Sequence, residues 1–509
     1  MPFSRARRDN SERHPTFPRS HGTPIPNSRS RRVLLTESGH SASLTIVPTD
    51  RSFARNDSAT MSTVTIAPPP ATSGPPIQRE TTAGNYFVAN YPPFAFWSAE
   101  AIPAFHQALD QAPQPGVPLG LYTHIPFCRK RCHFCYFRVY TDKNADDIKA
   151  YLDALLKDLA SYSQKAVIGG RKPRFIYFGG GTPSYLSPDQ LRYLTEGMKR
   201  LLPWDEASEI TFEAEPGTLT DHKLRAIREM GVTRLSLGIE HFDDHILEIN
   251  GRAHRSKEIH RAYAYAREIG FPQINIDLIA GMVEETPEKW QETVAKAVAM
   301  EPDSVTIYQM EVPYNTGIYR QMKAEGKLVA PVADWDTKRR WVDEAFRAFE
   351  ARGYTVTSTT TVVKDPARVK FEYRQGLFSG ADLLSIGVAS FGHLNRVHYQ
   401  NHHDFQPYVD AVNAGQLPTY RAYLLPDDER YLREFILQLK LGSVGIGAFT
   451  EKFGEDPRTR FAAPLATLKT WGFLVESETH LGLTRDGLLQ VDRLLQEFFK
   501  PEHRTGRYA

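Results

Sequence analysis

Between Gly120 and Glu311 the apolar positions fall into two alternating patterns. Short β-rich runs occur at GLYTHIP (120–126), RFIYFGG (174–180), EITFEAEP (209–216), TRLSLGIE (233–240), QINIDLIAG (273–281) and SVTIYQME (304–311). Between them the apolar residues recur at helical spacing, as at Ile148, Tyr151, Leu152, Leu155, Leu156 and Leu159, which form one stripe. SPDQL (187–191) offers Ser as N-cap, Pro at the first helical position and Gln at the third, and TPEKW (286–290) repeats the Thr-then-Pro entry. Six β-then-α units in series predict a parallel sheet with helical crossovers. Six strands are too few to close the eight-stranded barrel, so the expected α/β fold is a partial, open (β/α)6 barrel. Its chemistry is expected at the C-terminal ends of the strands.

The flanking regions read differently. Residues 1–84 are rich in Arg, Ser and Pro, without sustained periodicity, and are expected to be a disordered tail. They hold eleven Arg, no Lys and six acids, a balance of +5 against +2 for the whole chain. An Arg-rich, acid-poor start also suits a transit peptide. A flexible tail, or an extension upstream of a start at Met61, accounts for it more simply. Residues 85–119 form an N-terminal extension over the barrel, whose aromatics at 86–97 read as core or lid. The barrel itself is assigned to 120–330. Residues 331–509 are expected to be mainly helical, from WDTKRRWVDEAFRAFEARGY (335–354), DERYLREFILQLKL (428–441) and TRDGLLQVDRLLQEFF (484–499).

Composition narrows the class. Hydrophobic residues are 41% and charged residues 24% of the 509, the profile of a globular protein. No run of 18 apolar residues predicts a membrane span. With 62 basic against 60 acidic residues there is no nucleic-acid footprint. The three cysteines, Cys128, Cys132 and Cys135, lie within eight residues. A secreted disulfide framework would be richer and more scattered, so the trio points to metal chemistry in a reducing, cytoplasmic compartment. Three thiolates can hold three corners of an iron–sulfur cubane. Zinc would need a fourth ligand, which His124 or His133 could supply.

Other chemistry-bearing residues gather at the same strand ends. GGGTP (179–183) ends the second strand, and its glycines let backbone N–H groups approach an anionic or amino-acid group. Glu213 and Glu215 end the third strand; one of the two is expected to be merely solvated. Glu240 ends the fourth, Arg252 follows it, and Asp277 lies in the fifth. Arg129, Lys130, Arg131 and Arg138 form a basic cluster that could meet carboxylates of a ligand or an acidic partner, or be a solvated loop face. His124 could be a proton donor or a packed strand residue.

YTHIPFCRKRCHFC, GGGTP, FEAEPGT, RLSLGIEHFD, NGRAH and INIDLIAG, in this order and spacing, resemble the radical S-adenosylmethionine (SAM) superfamily, and more narrowly the anaerobic coproporphyrinogen III oxidase family. The resemblance implies that Cys128, Cys132 and Cys135 bind one [4Fe–4S] cluster whose open iron is chelated by SAM. Tyr122 and Phe134 would flank the cofactor, and Tyr122 and His124 are the catalytic candidates. Gly180, Gly181 and Thr182 would hold its methionyl end, with Glu213 near by. Glu240, Arg252, Asp277 and Gln309 match the neighbourhood of a second SAM in some members. Reduction of the cluster, by a flavodoxin- or ferredoxin-type donor, would cleave SAM to a 5′-deoxyadenosyl radical, which calls for a dry, enclosed site.

Three branches of the family compete: a decarboxylase acting on the propionates of coproporphyrinogen III, a haem chaperone, and methyltransferases or cyclopropanases that use a second SAM. NYFVANYPPFAFWSAEAIPAFHQAL (85–109) and FEYRQGLFSGADLLSIGVASFGHLNRVHYQN (371–401) resemble the oxidase. Two positions depart from it: Phe137 stands where the oxidase carries a further cysteine, and Glu240 where it favours Gln. YQMEVPYNTGIY (308–319) sits closer to the other two branches.

Overall fold

The computed structural model describes residues 34–38, 41–45, 64–65, 79–84 and 86–506. Six parallel strands form its centre: β1 Leu119–Ile125, β2 Phe175–Gly180, β3 Glu209–Ala214, β4 Arg234–Glu240, β5 Gln273–Ala280 and β6 Ser304–Gln309. Crossover helices follow, the main ones being α1 Ala145–Ser163, α2 Pro188–Leu201, α3 Asp221–Glu229, α4 Ser256–Ile269 and α5 Pro287–Ala299. Local chemistry explains their starts. Asn144 caps α1 and Ser187 caps α2, each with a reciprocal bond from the third helical residue, and Thr286 caps α5. The α1 stripe Ile148, Tyr151, Leu152, Leu155 and Leu159 is buried against the sheet. Leu156, at its margin, packs instead where a Cβ on Gly197 would stand, letting α1 and α2 approach closely.

The sheet extends beyond six strands. β7 Thr355–Val356, β8 Thr361–Val363, β9 Asp382–Ile386, β10 Phe391–Leu394, β11 Val397–Asn401 and β12 Thr419–Leu424 come from the region expected to be mainly helical. The order is β7-β8-β6-β5-β4-β3-β2-β1-β9-β10-β11-β12, and its two ends do not pair. β9 runs parallel to β1, with Leu384 opposite Leu121, so the parallel part has seven strands. The apolar, small-residue stretch at 382–392 is therefore sheet, filling the side of β1 that an open barrel leaves exposed.

Beyond Pro426 the C-terminal part is helical as expected, with Asp427–Leu439, Ile446–Phe453 and Ala462–Thr470 around a small three-stranded antiparallel sheet. Phe435, Leu439 and Leu468 are among the core residues shared there with Val88 and Tyr91. The helix expected at 484–499 is broken into Arg485–Leu489, Val491–Leu494 and a 3-10 turn. The break falls at Gln490, just after the Leu489 carbonyl turns aside to accept a hydrogen bond from Gln309 Nε2 at 2.8 Å.

The ordered chain begins before residue 85. Trp335 N donates to the Arg79 carbonyl, Ala330 N to that of Thr81 and Gly84 N to that of Val312. Lys338 Nζ, fully buried, donates to Thr81 Oγ1 at 2.7 Å and the Met310 carbonyl at 2.8 Å. In the separate unit Met1–Ser73 the described strands Leu34–Ser38, Ser41–Thr45 and Val64–Thr65 pair antiparallel. The readings of Met61 and of the rest of this segment fall outside the described residues. Among the described residues no helix is long and apolar enough to cross a membrane.

Candidate functional site

A cavity of about 430 Å³ opens at the C-terminal ends of the strands, the rim where the barrel rule places chemistry. β1 runs into Pro126 and Phe127, and Phe127 pairs with Tyr140 across a β-bridge. Cys128 N donates to the Tyr140 carbonyl at 3.0 Å and Tyr140 N to that of Pro126 at 2.8 Å. The intervening loop is thus pinned at its base. Its far side is tied by His133 N to the Asn250 carbonyl and by Ile318 N to the His133 carbonyl. Cys128, Cys132, Cys135 and Phe134 line the cavity from this loop, and all three cysteines are free thiols. Cys128 Sγ lies 3.3 Å from Thr182 Oγ1, and Arg252 Nη1 donates to Cys132 Sγ at 3.3 Å. Burial pushes the Cys128 thiol up to about 11 and the Cys135 thiol up to about 12.

The donor set fits an iron–sulfur cluster better than zinc. Three soft sulfurs face one cavity, and thiols buried this way ionise only against metal charge. Neither histidine that could complete a zinc site lines the cavity. His133 Nδ1 lies 2.9 Å from the Ile249 carbonyl, and His124 is packed beneath the cavity floor.

Gly180, Gly181 and Thr182 make the floor. A Cβ on Gly181 would meet backbone atoms of Ile125, Pro126 and Phe127 at 2.8–3.0 Å, so glycine is what lets this loop lie against the end of β1. Gly180 has φ +113°, and a Cβ there would fall into the His124 ring. Tyr122 and His124 therefore do not line the cavity: they occupy the layer below. Tyr122 Oη and His124 Nδ1 are 3.0 Å apart, the Tyr122 ring stacks on Tyr177, and burial holds His124 down to about 4.

Three carboxylates face inward. Glu213 accepts from Tyr177 Oη at 2.5 Å and from Gly180 N at 3.1 Å, and burial raises it to about 7. Glu240 is also raised to about 7 by burial; Arg252 stands 3.6 Å from it. A β-bulge between Gly238 and Glu240 and a φ of +67° at Glu240 turn its carboxylate off the ladder and into the cavity. Asp277 accepts from Ser236 Oγ at 3.1 Å and Asn275 Nδ2 at 2.8 Å. Gln309 completes this wall; its Oε1 is buried without a partner.

Glu215, beside the cavity, is not solvated as one of the pair was expected to be. It accepts from Arg129 Nη2 at 2.8 Å and Gly217 N at 3.0 Å, and His254 Nδ1 stands 2.9 Å away. Burial alone would raise it; the His254 hydrogen bond and charge, with Arg252 and Arg129, hold it down to about 2. Arg138 pairs with Asp404, and Arg131 Nη2 donates to the Cys135 and Asn315 carbonyls. Three of the four basic residues are thus engaged within the chain, although Arg129, Lys130 and Arg138 are all exposed.

Sequence reasoning missed half of the opposite wall. Tyr86 and Phe87 reach over from the N-terminal strap, and Leu489, Gln490 and Asp492 come from the broken helix. Val88 N donates to Asp492 Oδ1 at 2.8 Å, joining the two. The aromatic run at 86–97 was a signal for the first; nothing in 484–499 marked the second.

Comparison with known proteins follows the same lines. Residues 122–297 match the family model for the radical SAM superfamily, and residues 425–489 that for the HemN C-terminal domain. A heme chaperone HemW of Haemophilus influenzae is 31% identical over 280 residues, 54% of this chain and 70% of that protein. The chain belongs to the radical SAM superfamily, in its HemN/HemW family. Family membership implies a [4Fe–4S] cluster and SAM. The HemW of Bacillus subtilis is 29% identical over 74% of this chain and 98% of its own length. An anaerobic coproporphyrinogen III oxidase of Cereibacter sphaeroides is 25% identical over 82% of this chain and 94% of its length. The crystallised coproporphyrinogen III oxidase HemN of Escherichia coli superposes with a TM-score of 0.71 at 24% identity, covering 82% of this chain and 99% of that one, which gives the radical SAM fold.

Proposed function

We propose that the chain is a radical SAM enzyme of the coproporphyrinogen III oxidase type, acting by oxidative decarboxylation on the propionate side chains of a porphyrinogen in haem biosynthesis. The observation that carries this reading is the closure of the cavity from two sides, by Tyr86 and Phe87 of the strap and by Leu489 to Asp492 of the C-terminal part. A site that handles a carbon radical must exclude water and stray C–H bonds. The match to relatives named as oxidases along nearly their whole length supports it.

In this reading Cys128, Cys132 and Cys135 hold the cluster. Gly180, Gly181 and Thr182 would line the methionyl end of SAM, their small side chains letting it approach the backbone, with Glu213 beside its amino group. Phe134 flanks the cofactor, Tyr122 supports it from the layer below, and His124 wedges the Gly180 loop. Glu240, Arg252, Asp277 and Gln309 receive substrate or a second SAM. The cofactor pair supplies, when bound, reductive cleavage of SAM to a 5′-deoxyadenosyl radical. The residues of this chain orient it: acids face the sulfonium and amino groups, and Arg252 stands beside the Cys132 sulfur and Glu240. A flavodoxin- or ferredoxin-type protein would deliver the electron.

One observation favours a haem chaperone instead. Phe137, in place of the oxidase's additional cysteine, stacks on Tyr136 with centroids 4.5 Å apart, and the exposed pair presents an apolar face at the cavity suited to a planar macrocycle. Anaerobic turnover of the reconstituted protein with coproporphyrinogen III separates the readings. Vinyl products with 5′-deoxyadenosine support the oxidase. SAM cleavage without vinyl product refutes it, stoichiometric haem binding without turnover supports the chaperone, and S-adenosylhomocysteine points to methyl transfer.

A further inference from the structure

The opposite end of the barrel holds a second cavity of about 90 Å³, closed off from the rim that carries the cysteines. It lies at the start of β4 and β6, under the segment Phe371–Gln375 that plugs the base of the sheet. Its lining contains Arg234, Lys370 and Arg374 and no Asp or Glu. Arg234 is 2% exposed, yet its guanidinium makes no ion pair in the described residues and its Nη1 has no hydrogen-bond partner. Its one close contact is the Phe371 ring, 4.0 Å from the guanidinium carbon. Arg374 lies 5.2 Å from the same ring, donates from Nη1 to Thr361 Oγ1 at 2.7 Å, and leaves Nε buried and unpartnered.

Glu209 and Asp277 feel the Arg234 charge, but neither forms an ion pair with it and neither lines the cavity. Glu209 is buried at the start of β3 and spends its oxygens on the Glu372 amide at 2.9 Å, the Tyr373 amide at 3.2 Å and Thr211 Oγ1 at 3.0 Å. The two guanidiniums also repel each other: burial first, and then Arg234, pull Arg374 down to about 10. A buried cation without hydrogen bonds is costly, and natural folds pair it or bind an anion against it. The size suits one small oxyanion or a few waters.

We propose that this basal cavity binds a small oxyanion, a phosphate or a short carboxylate, between Arg234 and Arg374. Arg supplies planar pairs of N–H donors that match such oxygens, and Thr361 offers a hydroxyl on the same wall. The bound anion ties the Phe371–Gln375 plug to β4 and β8 and so stiffens the end of the barrel remote from the chemistry. The site is independent of the cofactor and of which branch of the family the chain follows.

The test uses the full chain, titrated with sodium phosphate and separately with sodium succinate at constant ionic strength, read by calorimetry and by thermal melting. One anion should bind saturably at one site per chain and raise the melting temperature. Arg374→Gln should weaken binding at least 10-fold and remove the thermal gain. Arg234→Met should do the same and melt no lower than wild type without anion; where it does not fold, Arg374→Gln carries the test. Phosphate binding identifies a tetrahedral oxyanion and succinate binding a carboxylate; either supports the site. Absence of saturable binding by both, affinity unchanged in Arg374→Gln, or a crystal grown in phosphate that shows only water between the two guanidiniums overturns it.

Discussion

Replacing Gly180 by alanine tests the physical logic of the cavity floor without any cofactor. At φ +113° an L-residue is strained by about 1–3 kcal/mol. The added Cβ would also lie 2.5 Å from His124 Nδ1, and the ring, packed between β1 and the floor, can yield only by moving the strand. Overpacking of this kind costs about 1–3 kcal/mol more, for a total of about 2–6 kcal/mol. At about 2 °C per kcal/mol for a unit this large, the melting temperature should fall by about 4–12 °C. His124→Ala alone loses the Tyr122 contact and leaves a void, yet in the double variant the Cβ has room. The two changes should then be less destabilising together than their sum by about 1–3 kcal/mol, measured by denaturant unfolding of all four proteins. Additivity within about 0.5 kcal/mol, or a Gly180→Ala protein that melts like wild type, would refute the claim that His124 and Gly180 are fitted to each other.

Three further outcomes are expected. Cys132→Ala should remove the visible absorption and iron of the anaerobically reconstituted protein while the apoprotein melts within about 1 °C of wild type, since the side chain makes few packing contacts; retained iron would move the ligand assignment elsewhere. Glu215, held down to about 2 from an ordinary value of 4.5, contributes stability that is present above about pH 4.5 and lost as pH falls toward 2. Glu215→Gln should therefore flatten the acid limb of the stability profile, and an unchanged limb would count against the Arg129–Glu215–His254 cluster. Asn275 is wholly buried and accepts from Ser304 Oγ at 2.8 Å and Thr306 Oγ1 at 3.1 Å while donating to Ser236 and Asp277. Asn275→Leu should cost about 3 kcal/mol in urea unfolding by stranding those groups, and a loss below about 1 kcal/mol would show that they find other partners.

The six barrel strands were legible in the sequence, within a residue or two at each end, because a strand buried on both faces must be a continuous apolar run bounded by turns. Helix starts at Ser187 and Thr286 were legible for the same local reason: a capping side chain acts on an amide three residues away. The cysteine trio, GGGTP and the strand-end acids could be placed at one rim because parallel topology sends every strand end the same way. None of this depends on distant contacts.

What the sequence left open depends on them. Nothing local marks the residues of β9 as a strand of the barrel, and only pairing with β1, over 250 residues earlier, makes them the seventh parallel strand. Gln490 breaks an amphipathic pattern because the Leu489 carbonyl prefers a bond to Gln309. Glu215 binds Arg129 and His254 although one of the pair Glu213 and Glu215 was expected to be solvated, and Tyr122 and His124 fall below the floor because Gly180 and Gly181 lie across the end of β1. Periodicity, caps and motif spacing are encoded within a few residues of each other, so the chain by itself determined the barrel, its helices and the rim that carries the cysteines. Which groups close over that rim, and what each buried charge faces, was decided by packing between segments hundreds of residues apart.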